Sequence, residues 1–325
     1  MEDRIYSLAE VKSEANDFLN RKKAINNTTF LNYRTSIKYF IYYLEDIAEV
    51  SEITSDNIAN LLEDFQAVLF NGFNYKVEGA ERFVKVKASG VNTHVRRVKT
   101  FLNKCLKMNP ELNKLPVNKP KYKSLSIEDI KLLISECSNY WSNEEIAIRT
   151  ATLIKFLFNT AFRIEEALGI KTSDIFEEEG SYYVVIHEKG KAKGVLTEIA
   201  ISENTYNLLQ DYINIKSVPS TYVFSSVKAS GNGRSKQFSR RQFNNNIIKL
   251  ASYTDLKNGT NISKTVENNS SHVFRHSKAT YLLNVKKEDV VTVQKVLRHS
   301  SINSTLIYLN PEEEAINKVR ISNDI

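Results

Sequence analysis

Residues 272–308 read HVFRHSKATYLLNVKKEDVVTVQKVLRHSSINSTLIY, and the rest of the chain is organised around them. His272 and Arg275 lie three apart in a segment where Val273, Tyr281 and Leu282 recur at helical spacing, so the two polar groups share one face. A second helical pattern, Val290 to Leu297, runs into Arg298 and His299. A turn rich in Ser and Asn follows, and Tyr308 stands nine residues beyond His299. One reading is a phosphate clamp, Arg275 with the imidazoles of His272 and His299, facing a phenol nucleophile. The other is a surface His/Arg pair beside a buried aromatic ring. For so short a motif taken alone, the second is the commoner outcome.

Working outward, the whole chain sets the frame. Its 325 residues suffice for one large or two ordinary domains. An apolar content of 42% and a charged content of 26% belong to a globular chain, not a disordered one. The net charge of +7 permits a polyanionic partner without requiring one. Cys105 and Cys137 sit in apolar-periodic segments without metal-ligand spacing, which fits buried thiols in a reducing compartment. The opening MEDRIYSLAEV has no hydrophobic signal region, and the most apolar stretch, IAIRTATLIKFLF, is interrupted by Arg149 and Lys155. A cytoplasmic protein without membrane contact is expected.

From Leu8 to Leu106 the pattern is helical, with four amphipathic faces centred on Phe18, Phe40, Phe65 and Val98. These predict a small all-helical domain over 1–112, with 71–88 as a loop or short hairpin. The fourth helix carries Arg96, Arg97 and Lys99, and no acid stands between 89 and 110. A phosphate-facing helix and a solvated face are equally open there. Residues 109–124, NPELNKLPVNKPKYKS, hold three prolines and four lysines, so 113–124 is read as an extended basic linker.

The second domain, 125–325, opens on a helix that Ser126 can cap, with Asp129 three residues on. Arg163 follows the apolar run Leu153–Phe158, where it needs a carboxylate, a phosphate or solvent; Glu166 is the nearest candidate. SYYVVIHEKG and VLTEIAIS read as a hairpin about the turn KAKG, and TYVFSS as a short strand. Residues 227–238 read as a flexible loop. SRRQFNNNIIKLA reads as a helix opening on Arg240 and Arg241, with phosphate as a plausible partner. Residues 254–271 read as a polar surface insertion, and 312–325 as a short terminal helix that needs a docking surface.

The pattern H272-x-x-R275-H276-x-x-A279-T280, L297-x-H299-S300-S301-I302, T305-x-x-Y308 resembles the C-terminal signature of the tyrosine recombinase (phage integrase) family. Arg298 stands where that family usually has Gly, which bears on the turn or adds a phosphate contact and removes no catalytic group. TAFRIEEALGI resembles the family's first arginine box. Lys189 best matches its hairpin lysine, with Lys191 and Lys193 as rivals. TTFLNYRTSIKYFIYYL is similar to the opening helix of its core-binding domain.

The resemblance implies a mainly helical protein with a small β-hairpin and sheet, a helical core-binding domain preceding the catalytic one. It implies a catalytic set of Arg163, Lys189, His272, Arg275, His299 and Tyr308, supported by Glu166. Arg163 and Arg275 would hold the scissile phosphate of double-stranded DNA. His272 would help remove the phenolic proton, His299 would hydrogen-bond the phosphate, and Lys189 would protonate the leaving 5′-oxygen. The product would be a covalent 3′-phosphotyrosine, reversible by a second 5′-hydroxyl, so no cofactor or metal is expected. Lys121 and Lys123 in the linker, with Arg96, Arg97, Lys99, Arg240 and Arg241, are the expected DNA contacts. The expected partner is double-stranded DNA, with a homotetramer on two sites, as in a mobile-element integrase or Xer-like resolvase. A type IB topoisomerase-like nicking enzyme and a non-catalytic DNA-binding protein are the alternatives.

Overall fold

The computed structural model describes residues 4–77, 79–117, 123–187, 196–231 and 233–309. Contacts divide the chain into two compact units, with the break between residues 120 and 121.

In the first unit, β1 (Ile5–Ser7) leads into α1 (Leu8–Ile25), which Ser7 and Glu10 cap reciprocally. Next comes α2 (Asn27–Tyr42), capped by Asn26 and continued by a wide π-turn over Tyr43–Ile47. β2 (Glu52–Thr54) pairs antiparallel with β1. α3 (Ile58–Asn71) ends at Gly72, whose φ of 102° suits only glycine. Of the loop and the hairpin that 71–88 allows, the structure forms the hairpin, β3 (Phe73–Val77) and β4 (Ala80–Val84) in antiparallel register. α4 (Ala88–Phe101) and a π-turn over Leu102–Leu106 close the bundle. Val11, Phe18, Phe40, Leu62, Phe65, Val98 and Phe101 make its core.

The second unit opens with α5 (Ile127–Tyr140), capped by Ser126 and Asp129 as the sequence suggested. α6 (Glu144–Thr160) ends on Ala161 in a left-handed turn, and α7 (Ile164–Gly169) starts at once. β5 (Ile175–Glu178), β6 (Ser181–His187) and β7 (Leu196–Ile201) form an antiparallel sheet in that order. α8 (Glu203–Asn214) follows, then β8 (Ser225–Ala229), β9 (Ser235–Gln237) and α9 (Arg240–Asn258). Beyond these lie α10 (Ile262–Asn269), α11 (His272–Thr280), α12 (Val290–Leu297) and the single turn α13 (Asn303–Leu306). A core built on Leu133, Phe156, Phe224, Phe243, Ile247 and Phe274 packs α5, α6, α9 and α11 together.

Three expectations need correction. TYVFSS is not a strand over its length: β8 begins only at Ser225, and Tyr222 makes an isolated bridge to Lys171. Residues 227–238 are not simply a loop, because β8 and β9 pair across them. Nor is 254–271 a surface insertion: α9 runs on to Asn258, and α10 buries Ile262, Thr265 and Val266. The Asp255 carboxylate accepts from the backbone amides of Ile262 and Ser263 and from the Thr260 hydroxyl, satisfying donors that α10 would otherwise leave orphaned. Among the described residues no helix is long and apolar enough to cross a membrane.

Candidate active site

Two helix ends of the second unit converge on one buried guanidinium. Arg275 projects from α11, a helix fixed by the bond from the Leu125 amide to the Ser277 hydroxyl at 2.8 Å. Its Nη1 donates to the Ala161 carbonyl at 2.6 Å and its Nη2 donates to the Leu297 carbonyl. Both acceptors lie where a helix ends in a left-handed residue, Ala161 after α6 and Arg298 after α12. Such ends leave carbonyls without intrahelical donors. Arg275 supplies them, which is how a charged side chain comes to be only 4% exposed. A guanidinium has five N–H groups, so up to three remain for a ligand. Burial, and then the charges of Arg163 and Arg298, push the Arg275 pKa down to about 10, which leaves it cationic at neutral pH.

Arg163 sits at the cap position of α7. Its backbone amide donates to Glu166 Oε2 at 2.9 Å and its Nη1 to Oε1 at 2.8 Å. The second partner of Glu166 comes from 132 residues away: Arg298 Nη2 donates to Oε2 at 2.5 Å. The Arg298 guanidinium also lies 4.6 Å from the centre of the Phe162 ring. Burial opposes the ionisation of Glu166, yet the Arg298 charge and the two Arg163 donors hold its carboxyl below the usual range. Arg298 has φ 53° and ψ 46°. A side chain there costs roughly 1–2 kcal/mol that glycine would not, and the ion pair and ring contact offset it.

Tyr308 follows α13 and is 5% exposed, packed on Ala161, Ala279, Leu283, Val293 and Leu297. Its carbonyl accepts from Asn284 Nδ2 at 2.9 Å. Its hydroxyl shares a 2.5 Å hydrogen bond with Nδ1 of His276. His276 lies inside the motif, where the sequence alone assigns it no role. Its signal was the four-residue step from His272, which puts the two rings on one helix face with centres 6.2 Å apart. His299 Nδ1 lies 2.9 Å from the buried Thr305 hydroxyl, and its ring stacks on Tyr308 at 6.4 Å between centres. Burial, then neighbouring positive charge, pushes both His276 and His299 down to about 4. At neutral pH both rings are neutral.

The structure therefore gathers Arg163, Glu166, Arg275, His276, Arg298, His299 and Tyr308, with His272 one turn away on α11. The register of β6 and β7 closes with His187 opposite Leu196. Lys189, Lys191 and Lys193 all fall in the connection between those strands, outside the described residues, as do Lys121 and the terminal segment 312–325. Lys123 is exposed, and Arg241 is exposed at the start of α9. Arg240 pairs with Glu165 at 3.1 Å. In the first unit, Arg96 and Lys99 line a cleft with Lys104 and Lys114. Arg97 instead turns inward and donates to the Asn32 carbonyl and the Ser36 hydroxyl, tying α4 to α2.

The histidines make acid stability a measurable consequence. Unfolded, each should titrate near 6.5, whereas in the fold His94, His276 and His299 are held at about 4. Between these values the unfolded chain binds protons that the folded chain refuses, so stability is complete above the window and falls as pH drops through it. Glu166 contributes only below its ordinary 4.5. The melting temperature should be level at neutral pH and fall between about pH 6.5 and 4.5, with a shallower fall in His276→Asn. A level melting temperature down to about pH 4.5 would refute the burial of these rings in neutral form.

Comparison with known proteins places the chain in a family. A sequence profile described as the phage integrase family matches residues 123–315. The chain is similar to the tyrosine recombinase XerD of Rickettsia bellii (strain RML369-C), 27% identical over 333 residues that cover 95% of this chain and 96% of that protein. It is also similar to the tyrosine recombinase XerC of Rickettsia bellii (strain OSU 85-389), 25% identical over 90% of this chain and 88% of that one. Among solved structures, the Tn1549 transposon integrase in complex with transposon right end DNA gives a TM-score of 0.68 at 15% identity, covering 98% of this chain and 100% of that one. The XerH site-specific recombinase bound to difH substrate gives 0.62 at 19% identity, covering 94% and 83%. At such identities the structural likeness speaks for the fold alone. Because the profile spans more than half of the sequence, including every described residue of the converging cluster, the chain belongs to the phage integrase family of tyrosine recombinases.

Proposed function

We propose that Tyr308 is the nucleophile that cuts one strand of double-stranded DNA at a specific site, forming a 3′-phosphotyrosine. The observation that carries this is a phenol oxygen held 2.5 Å from an imidazole nitrogen beside a buried, phosphate-ready guanidinium. The Tyr308 oxygen bonds to phosphorus as the bond from phosphorus to the 5′-oxygen breaks. The phenolic proton passes to His276, neutral at working pH, with His272 next on the same face. Arg163 and Arg275 take the non-bridging oxygens, whose charge grows in the transition state. With the Thr305 hydroxyl donating to Nδ1, His299 carries its proton on Nε2 and donates that to the phosphate. A lysine of the connection after β6, Lys189 by resemblance and otherwise Lys191 or Lys193, protonates the leaving 5′-oxygen.

We also place Arg96, Lys99, Lys121, Lys123, Arg240 and Arg241 on DNA phosphates, and four copies of the chain on two sites in the cytoplasm, as in a Xer-like resolvase or an element-borne integrase. Residues 1–112 serve as the core-binding domain, 113–124 as the linker and 125–325 as the catalytic domain. Arg97 joins the phosphate contacts through the charge and the N–H groups that remain after its Nη1 donates to Asn32 and Ser36.

A suicide substrate nicked next to the cleavage point tests the chemistry. Incubation should yield a protein–DNA adduct resistant to denaturation, with the 3′-phosphate on the peptide containing Tyr308. Placing sulfur at the 5′ bridging position should restore cleavage to whichever of Lys189→Ala, Lys191→Ala or Lys193→Ala lacks the general acid, because thiolate leaves unprotonated. An adduct on the 5′ side, or on another residue, would sink the assignment.

A further inference from the structure

The pair Arg298–Glu166 joins the turn that carries His299 to the segment that carries Arg163. A glycine would fit the left-handed backbone at 298 without strain, so the guanidinium there calls for a reason. Counting formal charges within the cluster supplies one. Arg163 and Arg275 contribute two positives and Glu166 one negative, a net +1 that matches a phosphodiester at rest. Arg298 raises the sum of the permanent charges to +2, equal and opposite to the charge of a five-coordinate phosphorane with two anionic oxygens. Both histidines are neutral before attack, and the proton that His276 then takes from Tyr308 adds its charge beside the phenol oxygen, not at the Glu166 carboxylate.

Resting on the reading of this cluster as a phosphoryl-transfer site, we propose that Arg298 is a positioning residue acting through Glu166. It takes up one carboxylate oxygen and offsets the carboxylate's charge, so that Arg163 stays aligned by Glu166 without being neutralised by it. The side chain is 12% exposed and stacked on Phe162, so it is built into the wall of the site and not free to wander. The same link fixes the Leu297 carbonyl, one residue earlier, as an acceptor for Arg275.

Single-turnover cleavage of the suicide substrate at saturating DNA tests this, with Arg298→Gly, Arg298→Lys and Arg298→Gln compared with the unaltered protein. Arg298→Gly should fold with an unreduced melting temperature and bind DNA within about threefold of the original. It should cleave roughly ten- to a hundredfold more slowly, a smaller loss than removal of a donor that touches the phosphate. Arg298→Lys should recover most of the rate. Arg298→Gln, which keeps a donor without the charge, should behave like the glycine variant. The discriminating substrate is a methylphosphonate at the scissile position, which lacks one anionic oxygen. On it the Arg298→Gly deficit should shrink to within about threefold, whereas displaced geometry would impose the same deficit on both substrates. An undiminished deficit, or a glutamine variant as fast as the unaltered protein, overturns the proposal. Absence of any Tyr308 adduct with the unaltered protein would instead overturn the phosphoryl-transfer reading itself.

Discussion

Tyr308→Phe should bind DNA as the unaltered protein does and form no covalent adduct. Only the oxygen proposed as nucleophile is removed; the ring stays in its buried cluster with Ala161, Ala279, Leu283, Val293 and Leu297. The lost hydrogen bond to His276 costs about 1 kcal/mol of stability, too little to unfold the domain. Tyr281 provides the control, since it lies in the π-turn after α11 with Lys278 and Lys286 over its ring and has no place in the cluster. Tyr281→Phe should cleave normally. Suicide-substrate adducts on a denaturing gel, with gel-shift affinities measured in parallel, give both answers. Adduct from Tyr308→Phe at the unaltered yield would end the assignment of the nucleophile.

What could be read in the sequence was the local part of this architecture. The helices of the first unit declared themselves by apolar spacing, and Ser126 with Asp129 marked the start of α5 before any coordinates. The pairing of β1 with β2 was not legible, because three-residue strands show no period and the partners Tyr6 and Ile53 are far apart in sequence. α10 was missed for a different reason. Its composition, ISKTVENN, is mostly polar, and its place in the fold depends on Asp255 capping it from the preceding helix. β8 and β9 touch irregularly across a Gly/Ser-rich turn, which composition alone marks as loop.

The site divides along the same line. Arg163 and Glu166 are three residues apart, so their pairing could be proposed from spacing. The Arg298–Glu166 contact spans 132 residues and could not. The departure from glycine at 298 flagged the position, but only the fold reveals that its charge goes to the carboxylate that also holds Arg163. His276 was visible as a letter in the motif and invisible as a partner of Tyr308, since that contact depends on how α13 returns to α11. Arg275 was legible as a candidate phosphate ligand, but not as the buried tie between two helix ends.

That tie makes Arg275 the most demanding position to change. Arg275→Ala leaves the carbonyls of Ala161 and Leu297 without their donor in a buried site, at about 1–3 kcal/mol each. Against the roughly 5–15 kcal/mol that holds a typical domain together, the variant should remain folded but melt well below the unaltered protein. Its cleavage rate should fall by at least about a thousandfold, because a phosphate donor and the alignment of the α6 and α12 ends go together. Arg275→Lys separates the two losses. It keeps the positive charge, but a point ammonium cannot reach two diverging carbonyls and two phosphate oxygens as a planar fork does. It should recover part of the melting temperature while cleaving about a hundredfold slower than the original. Thermal melts followed by circular dichroism, together with single-turnover cleavage at saturating DNA, measure both. If Arg275→Lys cleaves within about threefold of the unaltered protein, charge alone suffices and the bidentate role assigned to this guanidinium is wrong.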